Sequence, residues 1–267
     1  MTRMPIDQPE LRPPVPAPDP SVPLLPARRT PLLPARRTAL LPARRTLLLG
    51  AGTLSAGMFL GTTTAQAATT LRRGDRGSAV TTLQRDLGAH KYWCGTPDGS
   101  FGHLTQQAVF ALQKAAGLTR DGVVGARTRD ALTRGVQPRR RMTSTIGFEV
   151  DLARQLLITT NRGRLAHVFN TSTGSGERYY SGGRWKTATT PRGDFRFYSL
   201  YSSGWQSGPL GNLYRPGYYD RGWAIHGSNS IPTYPDSHGC CRISVGASDL
   251  LWSGGGWFVK GRRVLIY

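Results

Sequence analysis

Two short stretches carry the residues best suited to covalent chemistry: Ala224-Ile225-His226-Gly227 and Ser237-His238-Gly239-Cys240-Cys241-Arg242, with Cys240 fourteen residues after His226. A thiol attacks as its thiolate, and a nearby imidazole is the usual base that deprotonates it and returns the proton to a leaving group. Cysteines outside disulfides are mostly buried small apolar side chains. That reading suits Cys94, whereas Cys240 sits in a polar, Gly-containing turn. If residues 240–245 are extended, Cys240, Arg242 and Ser244 share one face and Cys241, Ile243 and Val245 the other. This assigns Arg242 to the site, as a bidentate holder of a substrate carboxylate, and Cys241 to the core.

The other histidines divide. His238 either lines the oxyanion side or braces its loop, while His90, His103 and His167 have no partner pattern and default to surface or packing roles. His226, His238 and Cys240 lack any Cys-x-x-Cys or His-x-x-x-His spacing, so neither a metal nor a cofactor is expected. Tyr214, Tyr218, Tyr219, Trp223 and Tyr234 crowd the approach to His226, and about half are expected to wall a groove and half to fill the core.

Composition narrows the classes. The 267 residues hold 35 Lys and Arg against 15 Asp and Glu, and residues 68–267 alone carry +15. Such a field favours polyanions. Apart from Arg139-Arg140-Arg141 the basic residues downstream are scattered, and no zinc finger, ribonucleoprotein-type signature or basic helix accompanies them. Nucleic acid is therefore not expected as a partner, and an anionic surface polymer suits the charge as well. Three cysteines, two of them adjacent, exclude a disulfide scaffold.

The N-terminus reads as an address. Residues 5–46 are Pro-rich and repeat Leu-Leu-Pro-Ala-Arg-Arg-Thr at 24–30, 32–38 and 40–46, a composition expected to be disordered. An apolar stretch from Leu47 to Gly61 and a small-x-small site at Ala65-Gln66-Ala67 complete a secretory signal. Arg44-Arg45-Thr46-Leu47-Leu48-Leu49 resembles a twin-arginine export signal, the alternative route being Sec, with cleavage expected after Ala67 and no membrane span left afterwards.

Residues 68–134 form a first domain. Ser78 is the expected N-cap of a helix whose Val80, Leu83 and Leu87 share a face. Asp98-Gly99-Ser100-Phe101-Gly102, Thr105 and Ala108-Val109 recur twenty-three residues later as Asp121-Gly122-Val123-Val124-Gly125, Thr128 and Ala131-Leu132. Each copy is a Gly-rich turn, a Thr placed to cap or open a helix, and apolar residues for a core; the first of these helices ends at Gly117. Tyr92, Trp93 and Phe101 are expected to divide between core and a binding face. The pattern resembles the three-helix peptidoglycan-binding module, which implies wall binding without catalysis. Residues 135–144, with Pro138 and the Arg run, read as a linker whose arginines are solvated.

Residues 145–267 change texture, holding nine of the ten Tyr and five of the six Trp. Alternating runs at 147–151, 155–159, 165–170, 194–198 and 263–267, separated by turns such as Asn161-Arg162-Gly163, predict a mainly β domain with one helix over Ala247 to Trp252. His226-Gly227, Ser237-His238-Gly239-Cys240 and Arg242, with Ser172-Thr173-Gly174 and Thr190-Pro191-Arg192-Gly193-Asp194-Phe195 upstream, resemble the YkuD-type L,D-transpeptidases. That resemblance implies a multidomain protein: a small all-α three-helix domain, then a mainly-β, sandwich-like catalytic domain. It implies Cys240 as nucleophile, His226 as base and the Gly227 carbonyl as orienter of the imidazole, with glycan-linked stem peptides as substrate. Ser237, His238 and Gly239 fall on the oxyanion and substrate side, where the Gly239 and Cys240 N–H groups are candidate oxyanion donors. Two departures stand out: the short His-to-Cys spacing implies a smaller lid, and Cys241 replaces a usual aliphatic residue. The expectation is an exported, monomeric bacterial cell-wall enzyme that cross-links stems, the alternatives being an L,D-carboxypeptidase or a retired wall-binding protein.

Overall fold

The computed structural model describes residues 70–253 and 256–267. The Pro/Arg repeats, the export signal and the cleavage point after Ala67 lie outside the described residues. Among the described residues no helix is long and apolar enough to cross a membrane.

The first three helices are α1 (Ser78–Ala89), α2 (His103–Ala115) and α3 (Ala126–Thr133). Val80, Leu83 and Leu87 bury one face of α1. Ser78 is the first helical residue rather than the cap: Gly77 precedes it, and no side chain caps the helix. Helix α2 closes as a Schellman motif, with Gly117 at φ 66° and its N–H donating to Lys114 O, while the Leu118 N–H reaches Gln113 O.

The repeated Asp-Gly turns are built alike, each on a buried glutamine from the preceding helix. Gln84 Nε2 donates to Asp98 Oδ1 (2.8 Å) and Thr105 Oγ1 (3.0 Å), and its Oε1 accepts the Asp98 and Gly99 N–H groups. Gln113 repeats this with Asp121 Oδ1 (2.7 Å), Thr128 Oγ1 (3.3 Å) and the Gly122 N–H. Thr105 and Thr128 therefore dock onto a glutamine inside their helices, and the residues before those helices are Gly102 and Gly125.

The β domain runs β1 (Gly147–Asp151), β2 (Leu156–Asn161), β3 (Arg164–Asn170), β4 (Arg178–Ser181), β5 (Arg184–Thr187), β6 (Gly193–Arg196), β7 (Ser199–Leu200), β8 (Trp205–Gly208), β9 (Gly211–Asp220), β10 (Trp223–Ser228), β11 (Cys241–Ser244), α4 (Val245–Ser253) and β12 (Arg263–Ile266). One sheet has the order β3-β2-β1-β12-β6; a second has β11-β10-β9-β7, with β8 also on β9; β4 and β5 form a separate hairpin. Pairing is antiparallel except β1–β12 and β10–β11. Between the sheets lies a core to which the first contributes Phe148, Val150, Leu157, Val264 and Ile266, and the second Tyr219, Ile225, Cys241 and Ile243.

The first sheet is covered on both faces. Leu156, Ile158, Leu165 and Val168 belong to the core of the three helices, so β2 sends alternate residues into two cores. Full burial of each such side chain contributes roughly 1.5–3 kcal/mol. Main chain joins the layers as well: the Val168 N–H donates to Lys91 O at 2.7 Å. Tyr92 and Phe101 are both core residues, Tyr92 donating its hydroxyl to Val136 O (2.7 Å), while the half-buried Trp93 tilts against Phe169 in the inter-sheet core.

The stretch 135–144 is held along its length. Pro138 and Met142 are buried, and the Arg141 and Met142 N–H groups donate to the fully buried Glu149 carboxylate at 2.7 and 2.9 Å. The Arg141 guanidinium is exposed but lies 3.7 Å over the Tyr267 ring.

Candidate active site

Strand β10 is fixed on both sides, antiparallel to β9 and parallel to β11, with Ile225 opposite Cys241 and His226 opposite Arg242. Ile225, Cys241 and Ile243 enter the inter-sheet core, so His226 and Arg242 present the opposite face, shared by Cys240 immediately before β11. The alternation expected from sequence holds through Ile243 and then ends. Ser244 is buried and accepts the Ala247 N–H (3.2 Å), and Val245 is already the first residue of α4.

His226 is buried, its Nδ1 bonded to the Gly227 carbonyl at 2.9 Å, which leaves Nε2 for other work. Gly227 is a matter of space, since a Cβ there would meet Tyr214 Cδ1 at 2.9 Å and Ser248 Cβ at 3.1 Å. Burial pulls the imidazole down to about 4; the Gly227 bond opposes this and the Arg242 charge adds to it. Cys240 is partly exposed, with Sγ 3.7 Å from the Gly222 carbonyl. Burial pushes its thiol up, offset in part by an Ala224 main-chain bond and by Arg242. Burial thus disfavours the charged form of both groups.

The loop before Cys240 is pinned by its own polar groups. Ser237, buried, donates Oγ to Cys240 O (2.6 Å) and accepts the Gly239 N–H (3.0 Å). The Gly239 N–H, expected to face an oxyanion, is thus engaged within the loop. Gly239 itself has φ +132°, and a Cβ would lie 2.5 Å from Trp223 Nε1 and 2.8 Å from Thr189 O, so no other residue fits without displacement. His238 is exposed and meets the Tyr179 ring edge-on at 4.7 Å, bracing the loop on the β4–β5 hairpin. Arg242, expected to hold a substrate carboxylate, pairs with Asp236 at 2.9 Å.

The upstream motifs support this loop. Thr190 Oγ1 donates to Gly239 O (2.6 Å) and accepts the Gly174 N–H (2.9 Å). Ser172 exchanges both main-chain bonds with Arg242, and Thr173 O accepts the Asp236 and Ser237 N–H groups. Of the five aromatics near His226, Tyr219 is core and bonds Cys241 Sγ at 3.8 Å. Tyr218 lies opposite Ala224, and its hydroxyl is pushed up first by burial and then by the Cys240 charge. Trp223 donates Nε1 to Thr189 O (2.9 Å), Tyr214 bonds Asp249 (2.9 Å), and Tyr234 is 59% exposed. Tyr198 and Tyr201, both partly exposed, contact Tyr218 at 6.5 and 5.9 Å between ring centroids and escaped the sequence reading, which had no strand order with which to join them to the site. Among the described residues no group of three or more His, Cys, Asp or Glu is placed to hold a metal ion.

The described residues thus form a three-helix module packed on a two-sheet domain that carries His226, Cys240 and Arg242 on one face of a parallel strand pair. Residues 146–254 match the YkuD family, the L,D-transpeptidase catalytic domain, and residues 76–132 match the peptidoglycan binding domain family. The chain is similar to the crystal structure of the L,D-transpeptidase (residues 123–326) from Xylanimonas cellulosilytica, with 46% identity and a TM-score of 0.71 over 74% of this chain and 97% of that one. It also matches an L,D-transpeptidase (Yku) structure from Stackebrandtia nassauensis at 19% identity and TM-score 0.44, over 74% of this chain and 94% of that one. The chain belongs to the L,D-transpeptidase family and is an L,D-transpeptidase enzyme carrying a peptidoglycan-binding domain.

Proposed function

We propose that this enzyme acts outside the bacterial membrane, exported by the Arg44-Arg45 signal, and cross-links peptidoglycan stems through a thioester on Cys240. The observation that carries the reading is that His226 and Cys240 lie on one face of β10–β11, with His226 Nδ1 tied to the Gly227 carbonyl. In this mechanism His226 Nε2 takes the Cys240 proton as Sγ attacks the carbonyl of the third residue of a tetrapeptide stem. The tetrahedral oxyanion is met by the Cys240 N–H, since the Gly239 N–H is held by Ser237 Oγ. Collapse breaks the C–N bond, and the proton on His226 passes to the departing D-Ala amine. An amine of a neighbouring stem then attacks the thioester, loses its proton to His226, and releases the Cys240 thiol with a new peptide bond.

In this reading Arg242 lowers the pKa of both reacting groups, and it reaches a substrate carboxylate by exchanging Asp236 for it. Ser237, His238 and Gly239 shape the loop rather than touch the oxyanion. Tyr218, Tyr198 and Tyr201 wall the approach to the thiol.

The test is to incubate the mature protein with disaccharide-tetrapeptide and weigh the products. Dimers lacking one D-Ala are expected. Tripeptides alone would make the enzyme an L,D-carboxypeptidase, with water as acceptor. No product at all, or unchanged product from Cys240→Ala, would remove the mechanism.

A further inference from the structure

The active-site mechanism leaves unused a lysine buried in the wall-binding domain. Lys114 lies on α2, 2% exposed, and its Nζ reaches out of the helical layer to three oxygens of the catalytic domain: Gln155 O (2.9 Å), Thr171 O (3.1 Å) and Asn170 Oδ1. Three acceptors around one nitrogen match the three donors of an ammonium group. Burial, with the Arg120 charge adding to it, lowers the Lys114 pKa, and the three oxygens around Nζ oppose this by favouring the ammonium. A lysine is a costly way to hold two layers that already share an apolar core.

Its partners lead directly to the site. Asn170 Nδ2 donates to the Ile231 carbonyl (3.1 Å) and to Gln107 Oε1 (2.6 Å), and Gln107 of α2 itself reaches Ile231 O at 3.5 Å. Arg120, after α2, donates to Thr233 O at 2.8 Å. Ile231 and Thr233 lie in the segment between His226 and Cys240. The other branch runs through Thr171, whose Oγ1 donates to Arg242 O (2.7 Å), and Ser172, which bridges to Arg242 through main chain. Gln155, the third partner, fixes Thr173 by bonds at 2.7 and 2.9 Å, and Thr173 O receives the Asp236 and Ser237 N–H groups.

We infer that Lys114 is a positioning residue for the transpeptidation: from the wall-binding domain it sets segment 170–173, and through it Arg242 and the loop from Ile231 to Ser237, against His226 and Cys240. The wall-binding domain thereby supplies part of the scaffold of the active site. This rests on the proposed Cys240 mechanism. Misplacement of reacting groups by about 1 Å costs as much as a hundredfold in rate, so the lysine acts on turnover rather than on substrate affinity.

The experiment uses the whole mature chain with Lys114→Met, and Gln107→Leu as a milder cut in the same network. Four quantities are read: kcat and KM on soluble disaccharide-tetrapeptide, the pH profile of Cys240 alkylation by iodoacetamide, the melting temperature, and co-sedimentation with insoluble peptidoglycan. Cys94 and Cys241 are buried, and burial pushes their thiols up to about 11 and about 12, so alkylation reads Cys240. For Lys114→Met the expected result is a kcat lowered roughly 10- to 100-fold, KM within about twofold, a displaced alkylation profile and unchanged sedimentation. Gln107→Leu should move kcat and the profile in the same direction by a smaller factor. A folded Lys114→Met enzyme with the parent's kcat and alkylation profile would overturn the inference. If Lys114→Met does not fold, parental kcat and profile in Gln107→Leu would overturn it. Cys240→Ala in the same assay keeps the two readings apart: if it retains the parent's turnover, the thioester mechanism fails, whatever Lys114 does.

Discussion

The two faces of the β10–β11 strand pair show how one residue of sequence separates chemistry from packing. On the core face, Ile225, Cys241 and Ile243 are fully buried among aromatic and aliphatic side chains, and the Cys241 thiol is pushed up to about 12. On the other face, Cys240 keeps some access to solvent, shares its side of the strand pair with His226 and Arg242, and has its Sγ 3.7 Å from the Gly222 carbonyl. Two thiols joined by a single peptide unit therefore meet different media. Strand alternation decides this, because nothing in the side chains themselves differs.

The strongest way to break that comparison is to remove each thiol in turn. Cys240→Ala should lower transpeptidation by roughly a thousandfold or more, since no other group forms the acyl-enzyme. Cys241→Val, which adds about one methyl group to a packed site and takes away the sulfur partner of the Tyr219 hydroxyl, should keep activity at a stability cost of about 1–3 kcal/mol. Steady-state rates and denaturant melts on both variants decide it, and an active Cys240→Ala or a dead Cys241→Val would reverse the assignment of faces.

A second test uses protons. Because burial holds His226 near 4 while an unfolded histidine titrates near 6.5, the base stays uncharged through most of the acidic range. Acylation by the parent should persist at pH 5 and fall as the pH drops through about 4, where the imidazole becomes protonated. The same shift has a stability sign. The unfolded chain binds the proton first, so stability is present in full above about 6.5 and is lost as pH falls toward about 4. Melting the parent and His226→Asn at pH 7 and pH 4.5 should show a loss on acidification that is smaller in the variant; equal losses would contradict the shift.

The smallest expected effect lies on the core face. Tyr219→Phe removes only the hydroxyl bonded to Cys241 Sγ, and should change stability by about 0.5–1.5 kcal/mol with turnover unaltered. A clear fall in turnover would mean that the two faces are coupled through the strand.

What was readable in the sequence is what short range determines. Period-two alternation placed Cys240, Cys241 and Arg242, and the family resemblance carried by His226-Gly227 and its companion motifs implied an imidazole oriented by the Gly227 carbonyl. The repeated Asp-Gly turns announced the helical module. What escaped reading depends on partners distant in the chain. Gln84 and Gln113 look like ordinary helix-surface residues until the turns fold back upon them. Ser237 and Gly239 carry the right types for substrate contact, yet their polar groups close on each other. Lys114 gave no signal at all, because a lysine near the end of an amphipathic helix normally points to water.

The shared core around β2 bears on how a wall enzyme of this kind measures its substrate. A binding domain on a loose tether raises the local concentration of sites throughout the volume that its tether sweeps. Here residues 135–144 are pinned to Glu149 and Tyr267, and Val168 is bonded to Lys91 across the boundary, so there is no sweep. The peptidoglycan-binding domain and the Cys240 thiol stand at one set separation and orientation. On the proposed cross-linking reading, that fixed offset sets which neighbouring peptidoglycan strands come within reach of Cys240.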